Sequence, residues 1–226
     1  MIAALGSPRV HYRQIDSTNE RARELAAAGA PHGTLVTAAE QSAGRGRQGR
    51  RWTAPPGRAL LCSLLIRDPP RLLPLAAGVA VADVAGAPAR VKWPNDVLVD
   101  GLKVAGILVE GRPQERWAVL GIGLNVALRE EDFPPELVGR AGTLGLEPEA
   151  VQPTLERLLE RLEDWLSAAP EAVLDAVRER DALFNRPVRW SGGEGRGAGI
   201  DSEGRLLVVT AEGQLALDAG EIHLGA

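Results

Sequence analysis

The hydrophobic pattern opens in short blocks. Residues 10–15 (VHYRQI) predict a brief strand, and residues 34–39 a second, β-branched one. Between them Ser17-Thr18-Asn19-Glu20 starts a helix over ERARELAAAG, with the Ser-x-x-Glu spacing of a capping box and Gly29 as its stop. Residues 59–66 (ALLCSLLI) form a continuous apolar strand, and residues 72–85 read as a buried helix. Short strands are predicted at 90–93, 97–99 and 103–110, with Asp100-Gly101 as a hairpin turn, and another at 117–124. Two amphipathic helices follow near 153–168 and 171–184. From Arg186 the pattern becomes short strands broken by glycines: PVRW, GAGID, RLLVVT, QLALD and EIHL.

This order predicts an α+β fold, with a mixed or antiparallel sheet and helices on one side. Residues 1–184 form the main domain and residues 185–226 a small all-β module. A module of about 40 residues buries too little apolar surface to stand alone, so it is expected to dock on the first domain.

Composition narrows the picture. The 226 residues carry 26 Lys+Arg against 30 Asp+Glu, a net charge of −4, which argues against a general binder of nucleic acid or membrane surfaces. No apolar run is long enough to span a membrane, and the start, MIAALGSPRVHYRQ, does not read as a signal peptide. Cys62 lies inside an apolar run and reads as a buried thiol in a cytoplasmic protein. Three scattered histidines and one cysteine make a poor zinc site. The lysines are informative. Arg is used almost everywhere, and Lys92 and Lys103 are the only lysines, on either side of one short segment. A compact, rotatable ammonium is chemically distinct from a planar guanidinium.

Three segments carry candidate chemistry. Gly44-Arg45-Gly46-Arg47-Gln48-Gly49-Arg50-Arg51-Trp52 is rich in guanidinium forks for phosphate or carboxylate and in glycines that let backbone approach a ligand. The Gly44-x4-Gly49 spacing matches a P-loop, but Arg50-Arg51 stands where Lys-Ser/Thr is required, which excludes an ordinary nucleotide triphosphatase. A solvated basic loop touching RNA is the plain alternative. The second segment, Lys92-Trp93-Pro94-Asn95-Asp96, runs into VLVDGLKVAGILVEG. Asp96 could bind Mg2+ through oxygen, Asn95 could position a phosphate, and Gly106 in a strand marks close approach of a ligand. The plain alternative is a hairpin with a solvent-facing lysine. The third, Gly121-Ile122-Gly123-Leu124-Asn125, lacks the third glycine of a dinucleotide fingerprint. It suits a flat aromatic ligand such as adenine, or a simple strand end.

Taken in order, Ser17-Thr18-Asn19, Gln41, GRGRQGR with Trp52, KWPNDV, GLKVAGILVE and GIGLN resemble the biotin protein ligase family. The tail GIDSEGRLLVVTAEGQLALDAGEIHL resembles that family's SH3-like β-barrel. The resemblance spans nearly the whole chain. It departs at ALLCSLLI, where the family often places aromatics. About ten residues precede the first strand, so the expectation is a monofunctional ligase without a helix-turn-helix domain and without DNA binding.

The resemblance implies a class II synthetase-like sheet and an ATP-dependent activity in two steps. Biotin is activated as biotinyl-5′-AMP and then passed to a lysine of a biotin carboxyl carrier protein. It implies Mg2+ as cofactor, a cytoplasmic location, no membrane, and a homodimer as one permitted assembly. It places Arg47 and Lys103 in the catalytic role, on the biotin carboxylate and the α-phosphate. Ser17, Thr18, Asn19, Gln41, Gly44, Arg45, Gly46 and Gly106 join them around biotin. Arg45, Arg47, Arg50, Trp52, Lys92, Asn95, Gly121, Gly123 and Asn125 serve ATP and the adenylate, with Asp96 for the metal. The loop has glycines to move and arginines for a ligand to order. A lipoate ligase or octanoyl transferase of the same fold is the nearest rival, and an RNA-binding module is the rival from another class.

Overall fold

The structure, a computed structural model, describes residues 4–225. Its centre is β3 (Ala59–Arg67), buried along nearly its whole length, as its unbroken apolar run requires of a strand covered on both faces. Around it lie β1 (Arg9–Tyr12), β2 (Leu35–Ala38), β4 (Arg90–Lys92), β5 (Asp96–Val99), β6 (Leu102–Arg112) and β7 (Trp117–Asn125). The sheet order is β1-β2-β3-β7-β6-β5-β4. β1 and β2 run parallel and every other neighbour runs antiparallel, so the sheet is mixed. Asp100 and Gly101 both take positive φ, 51° and 79°, as a two-residue turn between β5 and β6 demands.

Alternate residues of β3 serve different neighbours. Leu60, Cys62, Leu64 and Ile66 enter the main core under α2 (Leu73–Ala85), α3 (Val151–Ser167) and α4 (Pro170–Glu179). Helix α2 is apolar apart from Asp83, because it lies between the sheet and α3. On the other face Leu65 packs with Ala22 and Ala26 of α1 (Thr18–Ala27), Val36, Trp117 and Val119. Helices on one side therefore describes α2 to α4, while α1 covers the opposite face. The last helix also stops at Glu179 rather than near 184. Asp181 Oδ1 accepts the Leu183 N–H at 2.8 Å and turns the chain, and Val91 N donates to Arg180 O at 2.8 Å.

Beyond the turn, β8 (Pro187–Trp190), β9 (Gly193–Ile200), β10 (Leu206–Thr210), β11 (Gly213–Leu217) and β12 (His223–Leu224) form a separate antiparallel sheet in the order β11-β10-β9-β8-β12. It docks on the main domain. Val188, Ile200, Leu206, Val208 and Ile222 share one apolar core with α2 and α4. Trp93 Nε1 donates to Gly204 O at 3.0 Å. Gly204 has φ +80°, and a Cβ there would come within 2.7 Å of Leu72, so both backbone and packing call for glycine. Among the described residues no helix is long and apolar enough to cross a membrane.

Candidate active site

The face that carries α1 also carries a strip without side chains. Ser63 of β3 pairs in register with Gly121 of β7, and Gly123 pairs with Gly106 of β6. A Cβ on Gly121 would collide with Asn19 Oδ1. A Cβ on Gly123 would stand 2.5 Å from Trp52 Cε2, and one on Gly106 3.0 Å from Trp52 Cζ3 and 3.4 Å from Lys103 Nζ. The glycines thus let three polar or aromatic groups reach the sheet backbone. Two residues of strand separate Gly121 from Gly123, about 7 Å. The strip leads from a neutral pocket at one end to a cluster of cations at the other.

The neutral pocket sits at the start of α1. Ser17, Thr18, Asn19 and Ser63 are all buried. Gln41 Oε1 accepts from Thr18 N at 2.7 Å and lies 3.0 Å from Thr18 Oγ1. Ser63 Oγ lies 2.8 Å from Thr18 Oγ1 and 2.6 Å from Asn19 Oδ1, and Asn19 Nδ2 donates to Glu110 Oε2 at 2.9 Å. Ser17 is the extended N-cap residue of α1, but its side chain makes no cap hydrogen bond, and the capping box does not form. Glu20 turns instead to Arg45, 2.9 Å, and Arg23, 3.2 Å, because a guanidinium is a stronger partner than a backbone N–H. Ser63 and Glu110 were not singled out from the sequence. The signal for Ser63 was a lone hydroxyl inside ALLCSLLI.

The glycine/arginine loop is a small hairpin. Trp52 N donates to Gly44 O at 2.9 Å and Gly46 N to Arg50 O at 2.7 Å, around a turn at Arg47–Gly49 where Gln48 and Gly49 have positive φ. Gly44 has no room for a side chain, since a Cβ would meet Trp52 O and Gln41. Each arginine finds a partner on the protein, although Arg45, Arg50 and Arg51 stay exposed. Arg45 pairs with Glu20 and, at 3.0 Å, with Glu110. Arg47 Nη1 donates to Asn95 Oδ1 at 2.8 Å and Nη2 to Gly220 O at 3.3 Å. Arg50 pairs with Glu221 at 2.6 Å, and Arg51 donates to Ser42 O at 2.6 Å. Carboxylates from α1, β6 and the C-terminal module thus offset the charge of Arg45 and Arg50, while Arg47 and Arg51 meet neutral oxygens.

Lys92 and Lys103 converge on Asp96. Lys103 Nζ is 2.6 Å from Asp96 Oδ1, and Lys92 Nζ is 3.9 Å from Oδ2. Lys103 also stands 5.7 Å from the centre of the Trp52 ring. Burial pushes the Lys92 ammonium below the ordinary lysine range, with Lys103 and Arg50 adding to the effect and Asp96 opposing it. Asp96 is thus held by ammonium groups, and among the described residues no three His, Cys, Asp or Glu side chains cluster as metal ligands. This donor set does not fit a resident Mg2+ ion. Asn95 is locked to β6 by two bonds with Ile107, Nδ2 to O at 3.1 Å and Ile107 N to Asn95 O at 2.8 Å. Asn125 is buried, and its Nδ2 donates to Gly142 O at 2.8 Å, which leaves Oδ1 as the atom to offer a ligand.

Comparisons with known proteins identify the family. The profile of the biotin/lipoate A/B protein ligase family matches residues 10–126, and that of the biotin protein ligase C-terminal domain matches residues 184–225. The chain is 36% identical over 243 residues to a biotin–(acetyl-CoA-carboxylase) ligase of Mycobacterium tuberculosis, covering 94% of this chain and 90% of the relative. It is 34% identical over 244 residues to a bifunctional ligase/repressor of Bacillus subtilis, covering 98% of this chain and 75% of that protein. Among solved structures, the biotin protein ligase from Aquifex aeolicus in complex with biotin and ATP superposes with a TM-score of 0.80 at 29% identity, over 97% of this chain and 99% of the other. With the glycine strip, the buried neutral pocket and the cation cluster in one arrangement, the chain belongs to the biotin/lipoate A/B protein ligase family.

Proposed function

We propose that this chain activates biotin with ATP and transfers it to a lysine of a biotin carboxyl carrier protein. The observation that carries the reading is the glycine strip joining a buried, neutral polar cluster to converging cations. An amphipathic acid with a polar, uncharged head and a carboxylate tail matches both ends. The C-terminal domain match and the named relatives favour biotin over lipoate. Arg45, Arg47 and Arg50 are engaged with Glu20, Glu110, Asn95 and Glu221, which weighs against a loop built to grip RNA.

In the first step a carboxylate oxygen of biotin attacks the α-phosphorus of ATP. The bond to the bridging oxygen breaks and pyrophosphate leaves. Two anions must meet, so cations that hold both are the main requirement. Lys103 reaches the strip beside Gly106 and offers its ammonium to the carboxylate and the α-phosphate. Arg47, anchored on Asn95, approaches from the loop, and Arg50 and Lys92 serve the leaving phosphates. Trp52 and the Gly121–Gly123 backbone flank the adenylate, and Asn125 Oδ1 can accept from an adenine amine. In the second step an uncharged acceptor amine attacks the acyl carbon, the bond to AMP breaks, and an amide forms with loss of one proton. We place this chemistry in the cytoplasm, where ATP is supplied.

The test is mass spectrometry after incubation with ATP, a carrier domain, and biotin or lipoate in parallel. The expected product is biotinyl-AMP followed by one biotinylated lysine. Lipoylation in place of biotinylation would overturn the reading.

A further inference from the structure

The hydroxyls and amides of the neutral pocket form a chain that is one proton short. Three close oxygen–oxygen contacts link Asn19 Oδ1 to Ser63 Oγ at 2.6 Å, Ser63 Oγ to Thr18 Oγ1 at 2.8 Å, and Thr18 Oγ1 to Gln41 Oε1 at 3.0 Å. Each hydroxyl carries one proton, and an amide oxygen carries none. Two protons therefore serve three contacts. Both ends are fixed as acceptors. Thr18 N donates to Gln41 Oε1 at 2.7 Å, which orients that amide. At the other end Asn19 Nδ2 donates to Glu110 Oε2 at 2.9 Å, and an ionised carboxylate can only accept, so Asn19 must turn its oxygen toward Ser63.

Glu110 is itself held in place. It is half-buried, and its other oxygen pairs with Arg45 at 3.0 Å. A neutral partner at this position would free Asn19 to rotate its amide. Nδ2 could then donate to Ser63, Ser63 to Thr18, and Thr18 to Gln41, and all three contacts would hold a proton with no ligand present.

We propose that Glu110 is a positioning residue that keeps this pocket acceptor-rich, and so selects a ligand whose head group brings N–H donors, as a cyclic urea does. This inference rests on the biotin reading above and deepens it. Saturated chains and dithiolane rings bring no donor and leave the shortage in place. Buried polar groups left unpaired are costly, which is how a pocket of this kind discriminates.

The test is calorimetric titration of biotin into wild type, Glu110→Gln and Glu20→Gln. In Glu110→Gln the amide oxygen stays with Arg45 and the NH2 group turns to Asn19. Glu20→Gln removes the other carboxylate partner of Arg45 without touching the chain. Glu110→Gln is expected to lose tenfold or more in biotin affinity and to raise the KM for biotin in pyrophosphate exchange. The KM for ATP should stay within twofold and kcat at saturating biotin within threefold. Its melting temperature should be no lower than that of Glu20→Gln, because the ligand-free chain is now complete. A purely structural glutamate would instead lower the melting temperature and leave biotin affinity within twofold of wild type, and that result overturns the proposal. If wild type itself binds no biotin, the functional reading fails and this inference with it. Should Glu110→Gln not fold, imidazolidin-2-one and its N,N′-dimethyl derivative carry the test as competitors of biotin on wild type. The first should displace biotin and the second should not. Equal competition would overturn the proposal.

Discussion

Arg50 in the glycine/arginine loop and Glu221 at the start of the last strand region are joined by an ion pair, Nη1 to Oε1, of 2.6 Å. Arg47 reaches the same place, donating to Gly220 O at 3.3 Å. The C-terminal module therefore holds two arginines of a loop that lies some 170 residues earlier in the chain. A reversal of charge should loosen the loop. Glu221→Lys is expected to lower the rate of adenylation at least tenfold. The pair is partly exposed, so its loss should cost under about 1 kcal/mol of stability. Pyrophosphate exchange beside a melting curve checks this. Adenylation unchanged by Glu221→Lys would mean the module is a passive neighbour.

Gly123 sits under Trp52. Gly123→Ala would place a methyl 2.5 Å from Trp52 Cε2 and force the indole off the strip. Overpacking of this kind costs about 1–3 kcal/mol. Affinity for ATP and biotin should both fall, whereas Gly101→Ala, in open space at the far turn, should leave both unchanged despite its strained φ of +79°. Calorimetric titration of the two variants distinguishes the cases. Equal effects would deny the strip a special role.

Cys62 gives a pH dependence. Burial pushes its thiol from the ordinary 9.0 up to about 12. Below pH 9 folded and unfolded chains both keep the proton, so the thiol favours neither. As pH rises above 9 the unfolded chain releases it while the folded chain holds it, so stability falls towards pH 12. The full loss is on the order of 4 kcal/mol. Urea unfolding at pH 8 and pH 10.5 should show a smaller decline in Cys62→Ala than in wild type. Equal declines would remove Cys62 from the account.

Much of the fold is legible in local sequence patterns. The run ALLCSLLI is apolar but for Ser63 because β3 is covered on both faces, and Asp100-Gly101 turns because two successive positive φ values exclude most other residues. The three motif segments meet at one strip because β3, β6 and β7 are neighbours in register. The failures have a common cause. The Ser17/Glu20 spacing is a local signal, and it yields to Arg45, a partner 25 residues away. Ser63 acquires its role only when α1 packs across β3. Glu110 meets Asn19 across 91 residues. Periodicity carries no information on such distant polar contacts.

In the reaction proposed above, Lys103 joins two anions at the end of the strip. Its ammonium stands 2.6 Å from Asp96 Oδ1 and beside Gly106. A guanidinium is wider and planar, and misplacements of this size cost on the order of a hundredfold in rate. Biotin-dependent exchange of labelled pyrophosphate into ATP, measured for wild type and Lys103→Arg at equal folded concentration, tests it directly. The account predicts exchange in wild type and a loss of about a hundredfold in Lys103→Arg, with little change in melting temperature. Exchange by Lys103→Arg within a few-fold of wild type would reduce Lys103 to a hairpin lysine paired with Asp96 and contradict the mechanism.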